Sequence, residues 1–391
     1  MLLLLPALAL LAAAEPGVGP EDLAFHEELL VLDTHLDTPV LLERPGWRFG
    51  DHHRYLLDNS QVDLPRMEAG GLDGGFFVIY TRQGPLDAAG YAAARDAALG
   101  RAAAIRAMVA AHPDKMALAT RADEAAPLAA AGKRIVYQSL ENSYPLGEDL
   151  SLLRAFHGMG VRMAGPVHSR NNQFADSATD KPRWRGLSPL GRRWLTEMNR
   201  LGMVVDASHA SDRAFDHLLE LSRTPVILSH SGPRAIFDHP RNLDDARMRR
   251  LAAKGGVMQL NTVFLVQHDS SDERDALHAR QDAYATLPPA ARRALARDQA
   301  AQDAKRPYTT ATFDDFMRSL RHAIRVMGVD HVGIGADWDG GGGVNGMADV
   351  EALPRITAAL RADGMSEADI AKIWGGNTLR VLRAAEATAA R

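Results

Sequence analysis

The chain reads as an α/β protein, a single (β/α)8 TIM barrel, on three observations. About eight short apolar runs recur along it, nearly all separated by segments with helical spacing. The runs are bounded by Gly and Pro and are apolar throughout rather than alternating, as suits parallel strands buried on both faces. Most runs stop at a His, Asp or Glu, the pattern of a barrel whose strand ends share one functional face. A doubly wound open sheet is the alternative if a strand is miscounted.

Leu29-Leu30-Val31-Leu32 is the first predicted strand, and it runs into Asp33-Thr34-His35-Leu36-Asp37. His35 and Asp37 are two apart, so on an extended backbone both side chains leave one face. A polar loop from Glu43 to Asn59 follows, then a helix from Val62 to Ala69 that stops at Gly70-Gly71. The second strand is Gly75 to Tyr80, and Ala-rich helices follow at 86–111 and 123–131. From there the rhythm is regular. Arg134 to Leu140 leads to Glu141, Val161 to Val167 to His168, Gly202 to Ser208 to His209, and Pro225 to Ser229 to His230. Gly256 to Asn261 is the seventh strand, and His331 to Ala336 leads to Asp337 as the eighth. Helical segments at 150–158, 188–201, 211–222, 243–254 and 312–327 lie between them. Residues 268–308 break the pattern: charged and Ala-rich, interrupted by Pro288-Pro289, they read as a helical insertion after the seventh strand, a lid or a contact in a homodimer. With no solenoid-length repeat and no long linker, residues 15–391 are expected to form one domain.

The chain has 391 residues, 46% hydrophobic and 24% charged, with a formal net charge of -4 and no cysteine. That composition supports a large core and gives no electrostatic case for nucleic acid, so a small-molecule substrate is the default. Without cysteine there is no disulfide and no thiolate metal site, and any metal must be held by His and carboxylates. Leu2 to Leu11, followed by Ala12-Ala13-Ala14, reads as a signal peptide cleaved near Ala14, too short to span a bilayer. No Lys or Arg follows Met1, which is consistent with a start further upstream. Export to a bacterial periplasm is the expectation.

If the barrel forms, His35, Asp37, Glu141, His209 and His230 converge at its mouth with Asp337 and His168 beside them. That donor set exceeds what one catalytic zinc takes from protein, and two zinc ions bridged by one carboxylate use it better. Glu141 is the natural bridge, with His35 and Asp37 completing one site and His209 and His230 the other. Each of these residues has a bland alternative, as a helix cap or an ion-pair partner. Together the bland readings leave several titratable groups unpartnered in one water-poor mouth. Asp337, favoured over Asp339 because it follows its strand more directly, could move a proton from water to a leaving amine. His168, read as too far along the barrel to complete either metal set, could stabilise an oxyanion. Arg241, just before a helix, could clamp a substrate carboxylate.

These residues fall in strings that resemble the membrane (renal) dipeptidase family, barrel metallopeptidases with a binuclear zinc site, and most closely its exported bacterial branch. The strings are Asp33-Thr34-His35-Leu36-Asp37, His168-Ser169-Arg170-Asn171-Asn172, Gly186-Leu187-Ser188-Pro189-Leu190-Gly191, Asp206-Ala207-Ser208-His209, Ser229-His230-Ser231, Arg241-Asn242 and Gly335-Ala336-Asp337-Trp338-Asp339-Gly340. The resemblance implies the same ligand sets, proton transfer by Asp337, transition-state contact by His168 and binding of a C-terminal carboxylate by Arg241. It also implies hydrolysis of dipeptides, those with a C-terminal D-residue included. Two departures stand out. Mammalian members have Gly after the bridging Glu, where this chain has Asn142, and a substrate-binding Tyr after the seventh strand, where this chain has Leu260-Asn261-Thr262. Alternatives are a binuclear amidohydrolase acting on a non-peptide amide, β-lactam or lactone, and a non-catalytic binding protein on the same fold.

Overall fold

A computed structural model of the protein describes residues 17–284 and 287–389, and the expected signal segment at 1–14 lies outside the described residues. Among the described residues nine parallel strands form one sheet: β1 (Leu32–Leu36), β2 (Gly74–Tyr80), β3 (Met116–Leu118), β4 (Arg134–Glu141), β5 (Val161–Ala164), β6 (Val204–Asp206), β7 (Val226–Ser231), β8 (Val257–Leu260) and β9 (Val332–Ile334). The path runs β1-β2-β4-β5-β6-β7-β8-β9, with β3 paired to β4 alone. It then returns on itself, because Leu36 bridges Trp338 and the Asp37 N–H donates to the Trp338 carbonyl at 2.9 Å. The result is the predicted barrel, nearly closed, with eight strands on the path and helices between them.

The first strand begins later than its apolar run suggests. Leu29 closes the helix Pro20–Glu28, its N–H bonding back to the His26 carbonyl, and β1 instead takes in the polar residues Asp33, Thr34 and His35. Asp33 and Thr34 tolerate burial because each has partners. Asp33 accepts the N–H groups of His35 (2.8 Å) and Ala336 (3.0 Å), and the Thr34 hydroxyl donates to the Ser229 carbonyl at 2.6 Å. Polar residues thus tie β1 to both β7 and β9. Two further differences are smaller. The 43–59 stretch contains a short helix, Tyr55–Asp58, and the helix expected from Val62 starts at Leu64 because the Asp63 carboxylate caps it by accepting the Arg66 N–H.

Five further helix starts are set in the same way. Asp87, Ser188, Ser211, Asp244 and Thr312 each accept a backbone N–H of the first turn, fixing the helices Ala88–Ala111, Pro189–Leu201, Asp212–Leu221, Asp245–Ala253 and Phe313–Met327. At the N-terminal ends of the strands, Leu32, Ile135, Val204, Ile227 and Val257 pack with Leu379, Val381, Leu382 and Ala385 of the last helix, Asn377–Glu386. That helix plugs the end of the barrel away from the polar residues. Within 268–308 two helices form, Asp272–Asp282 and Pro289–Lys305, joined across their contact by Arg280–Asp298 at 2.8 Å. The pair leans on the loop after β1, where the Arg44 guanidinium lies 4.7 Å above the Tyr284 ring. None of the described helices is long and apolar enough to cross a membrane.

Candidate metal and active site

All the residues singled out from sequence meet at the C-terminal ends of the strands. His35 is in β1 with Asp37 just beyond it, Glu141 ends β4, His168 follows β5, His209 follows β6, His230 lies in β7 and Asp337 follows β9. Glu141 is the centre. Its Oε2 lies 3.6 Å from His35 Nε2, while its Oε1 lies 3.0 Å from His209 Nε2 and 3.5 Å from His230 Nε2. His35 Nε2 is also 3.3 Å from Asp37 Oδ2. His168, expected to stand too far away, is drawn in: its Nε2 is 3.7 Å from Glu141 Oε1, and it forms one possible donor set with Glu141 and His209. The other sets are His35 with Glu141 and His230, and His35 with Asp37 and Asp337.

The donor atoms suit cations. His35 Nε2 and Asp37 Oδ1 are buried without a hydrogen-bond partner, and the Nε2 atoms of His209 and His230 face each other at 2.8 Å. Converging lone pairs of this kind, in a chain without cysteine, match the nitrogen and oxygen ligands of zinc and similar ions. Electrostatics favour positive charge where Glu141 and Asp37 meet His35, and neutral imidazoles at His209 and His230. Burial opposes charge on Glu141, yet His35 and His168 outweigh it and hold the carboxyl well below its usual range. Burial likewise works against His35, but Glu141 and Asp37 hold it well above the ordinary imidazole value. Burial holds His209 and His230 low, in the neutral form a metal requires. Asp337 is pushed up to about 7, by burial first and then by Asp37 and Glu141 against the pull of His35 and Arg241.

Local backbone makes this convergence possible. Asn142, His209 and Asp337 occupy left-handed φ values of 66°, 66° and 69°. Such angles are unfavourable for most L-residues and are concentrated at functional sites. They also account for the first departure from the family pattern. The position after Glu141 needs positive φ, which Gly takes freely and Asn tolerates better than most residues. Asn142 adds bonds a glycine lacks: its Oδ1 accepts from Asn172 Nδ2 at 2.9 Å and from the Tyr144 N–H at 3.1 Å. At Gly340 a Cβ would overlap both Asp37 Oδ2 and Asp337 Oδ1, so the string after β9 ends in glycine to admit two carboxylates.

The structure separates Asp337 from its competitor. Asp339 turns away, accepting the Thr38 hydroxyl at 2.6 Å and the Gln61 N–H at 2.7 Å, and serves the loop after β1. Arg241 is buried beside the cluster. Its Nη2 donates to the His230 carbonyl at 3.2 Å, while its Nε is buried without a partner. Burial lowers its pKa to about 10, against the attraction of Asp337, Glu141 and Asp206. Beneath it lies Phe264, a site residue that sequence reasoning missed, with the guanidinium 5.1 Å from the ring centre. No motif marks Phe264. Only the second departure, the missing Tyr after the seventh strand, draws attention to this loop, and there Asn261 and Thr262 are buried and tied to neighbouring backbone.

Comparison with known proteins agrees with this geometry. The model for "Membrane dipeptidase (Peptidase family M19)" matches residues 21–391. Dipeptidase tcpJ of Claviceps purpurea is 31% identical over 338 residues, 85% of this chain and 71% of that protein. The probable dipeptidase PvdM from Pseudomonas aeruginosa superposes with a TM-score of 0.81 at 30% identity, over 94% of this chain and 98% of the other. A metallopeptidase from Rhodobacter sphaeroides, solved with a phosphinate mimic of the dipeptide L-Ala-D-Ala, gives a TM-score of 0.72 at 27% identity, over 91% and 99%. With the barrel, the donor cluster and these relatives in agreement, the chain belongs to the membrane dipeptidase family of metallopeptidases.

Proposed function

We propose that the chain is an exported, zinc-dependent dipeptidase of the bacterial periplasm that binds two zinc ions and accepts dipeptides with a C-terminal D-residue. The observation that carries the reading is the split of Glu141, one oxygen toward His35 and the other toward His209 and His230. His35 and Asp37 would hold one ion, His209 and His230 the other, and Glu141 both. Bound ions at such a site supply Lewis acidity toward the amide carbonyl and a lowered pKa for water. Asp337, within reach of His35 and Asp37 at the mouth, would take a proton from the attacking water and deliver it to the departing amine. His168, partly buried with its ring 4.2 Å from that of His209, faces the developing oxyanion. Arg241 takes the substrate's carboxylate through the guanidinium edge whose Nε has no hydrogen-bond partner. Tolerance of a D-residue is supported by the ligand of the Rhodobacter sphaeroides relative.

The test is a panel of L-Ala-D-Ala, L-Ala-L-Ala and their C-terminal amides, with native protein and Arg241→Ala. Native protein should cleave both acids and spare the amides, and Arg241→Ala should raise KM for the acids by roughly 10- to 100-fold, the value of a lost charge-assisted pair. Equal cleavage of acids and amides by native protein would sink the carboxylate reading, and an intact L-Ala-D-Ala would remove the D-residue.

A further inference from the structure

A histidine nitrogen binds metal only through a free lone pair, and which ring nitrogen keeps its proton is decided by what the other one faces. Two of the proposed ligands face one hydroxyl. Ser229 Oγ lies 2.9 Å from His230 Nδ1 and 3.5 Å from His35 Nδ1. Its single proton is taken elsewhere, since Ser229 Oγ donates to Asp206 Oδ2 at 2.6 Å. Asp206 is itself fixed in place, its Oδ1 accepting the N–H groups of Ser208 and Ser229 at 2.9 Å each. With its proton committed to Asp206, Ser229 Oγ can only accept from the rings. His230 Nδ1 is then the nitrogen that bears hydrogen, and Nε2, the atom turned toward Glu141, presents a lone pair. The contact to His35 is longer and acts in the same sense more weakly. Asp206 and Ser229 are both buried, at 5% and 0% exposure, so water does not compete for these bonds.

We infer that Asp206 and Ser229 form a positioning relay that fixes the metal-binding tautomer of His230, and more weakly that of His35, so that one hydroxyl tunes both metal sites. This rests on the two-zinc reading above. Neither residue is among the proposed metal ligands, and their effect passes through the imidazoles.

The experiment is competition for zinc between a chromophoric chelator and the zinc-loaded full-length protein, in native form and as Ser229→Ala, Ser229→Thr, Asp206→Asn and Ser208→Ala. The visible spectrum of the cobalt-substituted forms is recorded in parallel. Ser229→Ala should hold zinc about 10- to 100-fold more weakly and alter the cobalt spectrum, while Ser229→Thr, which keeps the hydroxyl, should stay within about 3-fold of native. Ser208→Ala is the packing control. It removes a neighbouring hydroxyl that accepts from the His230 backbone N–H at 3.1 Å and lies 3.3 Å from Ser229 Oγ without meeting a ring nitrogen, so zinc retention should fall less than in Ser229→Ala. Asp206→Asn keeps the side-chain shape and carries the same comparison should Ser229→Ala not fold, with an expected loss of about 3- to 10-fold because an amide oxygen still accepts. Native affinity in Ser229→Ala, or an equal loss in Ser208→Ala, overturns the relay and leaves the two-zinc reading standing. Native protein that takes up no zinc overturns both.

Discussion

Asn142 follows the central Glu141 and holds a left-handed backbone angle. Replacing it by Ala keeps the left-handed φ and removes the bonds to Asn172 and Tyr144, so Asn142→Ala should cost about 2 kcal/mol or more. Asn142→Gly relieves the backbone and loses only the side-chain bonds, so its unfolding midpoint in urea should lie between native and Ala. Gly equal to or below Ala would contradict the role of φ. The two carboxylates after β9 make a sharper pair. Asp337→Asn should lower kcat about 10²- to 10⁴-fold with zinc content retained, the range for losing a general acid–base group. Asp339→Asn should instead loosen the loop held through Thr38 and Gln61, lowering the melting temperature with a much smaller effect on turnover. Residue types at strand ends were readable because metal ligands and proton carriers come from a short chemical list. Phe264 was not, because apolar contact with a guanidinium leaves no mark on residue type, and Asn142 stood out only as a departure whose backbone angle the structure supplies.

Among elements, β1 shows where reading by hydrophobicity stops. The apolar run at 29–32 marks the strand's approach, but Asp33, Thr34 and His35 form the strand itself, paid for by bonds to β7 and β9 that lie some 200 to 300 residues away. His26 is the same kind of long-range tie. Trp374 Nε1 donates to the Thr357 hydroxyl at 2.8 Å, that hydroxyl donates to His26 Nδ1 at 2.6 Å, and His26 Nε2 donates to the Gly70 carbonyl at 3.1 Å. The chain of bonds joins four separate elements, and in these directions it requires a neutral ring. Burial accordingly lowers the His26 pKa to about 4, against the pull of the Gly70 carbonyl, while the unfolded chain titrates near 6.5. Below pH 6.5 the unfolded state therefore binds a proton that the folded state refuses. The stabilisation is complete above 6.5 and is lost as pH falls toward 4, by on the order of 3 kcal/mol. Urea unfolding of native protein and His26→Gln should show a wide stability gap at pH 7.5 that narrows at pH 4.5. A gap unchanged by pH would contradict this account.

At the scale of the whole molecule the barrel was legible because its unit repeats. Eight apolar runs in step with helices admit few topologies, and a barrel gathers strand ends at one mouth whatever their separation in sequence. The short side strand β3 and the plugging helix Asn377–Glu386 were not read, since three residues carry no period and the plug's partners are scattered over the whole sheet. The insertion was legible as a break in rhythm, while its seat against the loop after β1 is a tertiary fact. The proposal that draws on all three scales is a two-zinc dipeptidase centre at the mouth of the barrel. The most direct measurement is release of free amino acids from L-Ala-D-Ala by protein stripped with a chelator and then reconstituted, with bound zinc counted per chain. The account predicts hydrolysis that disappears on stripping and returns as occupancy reaches about two zinc ions per chain. Protein that carries two zinc ions and leaves this and other dipeptides intact, or stripped protein that cleaves as before, would contradict it.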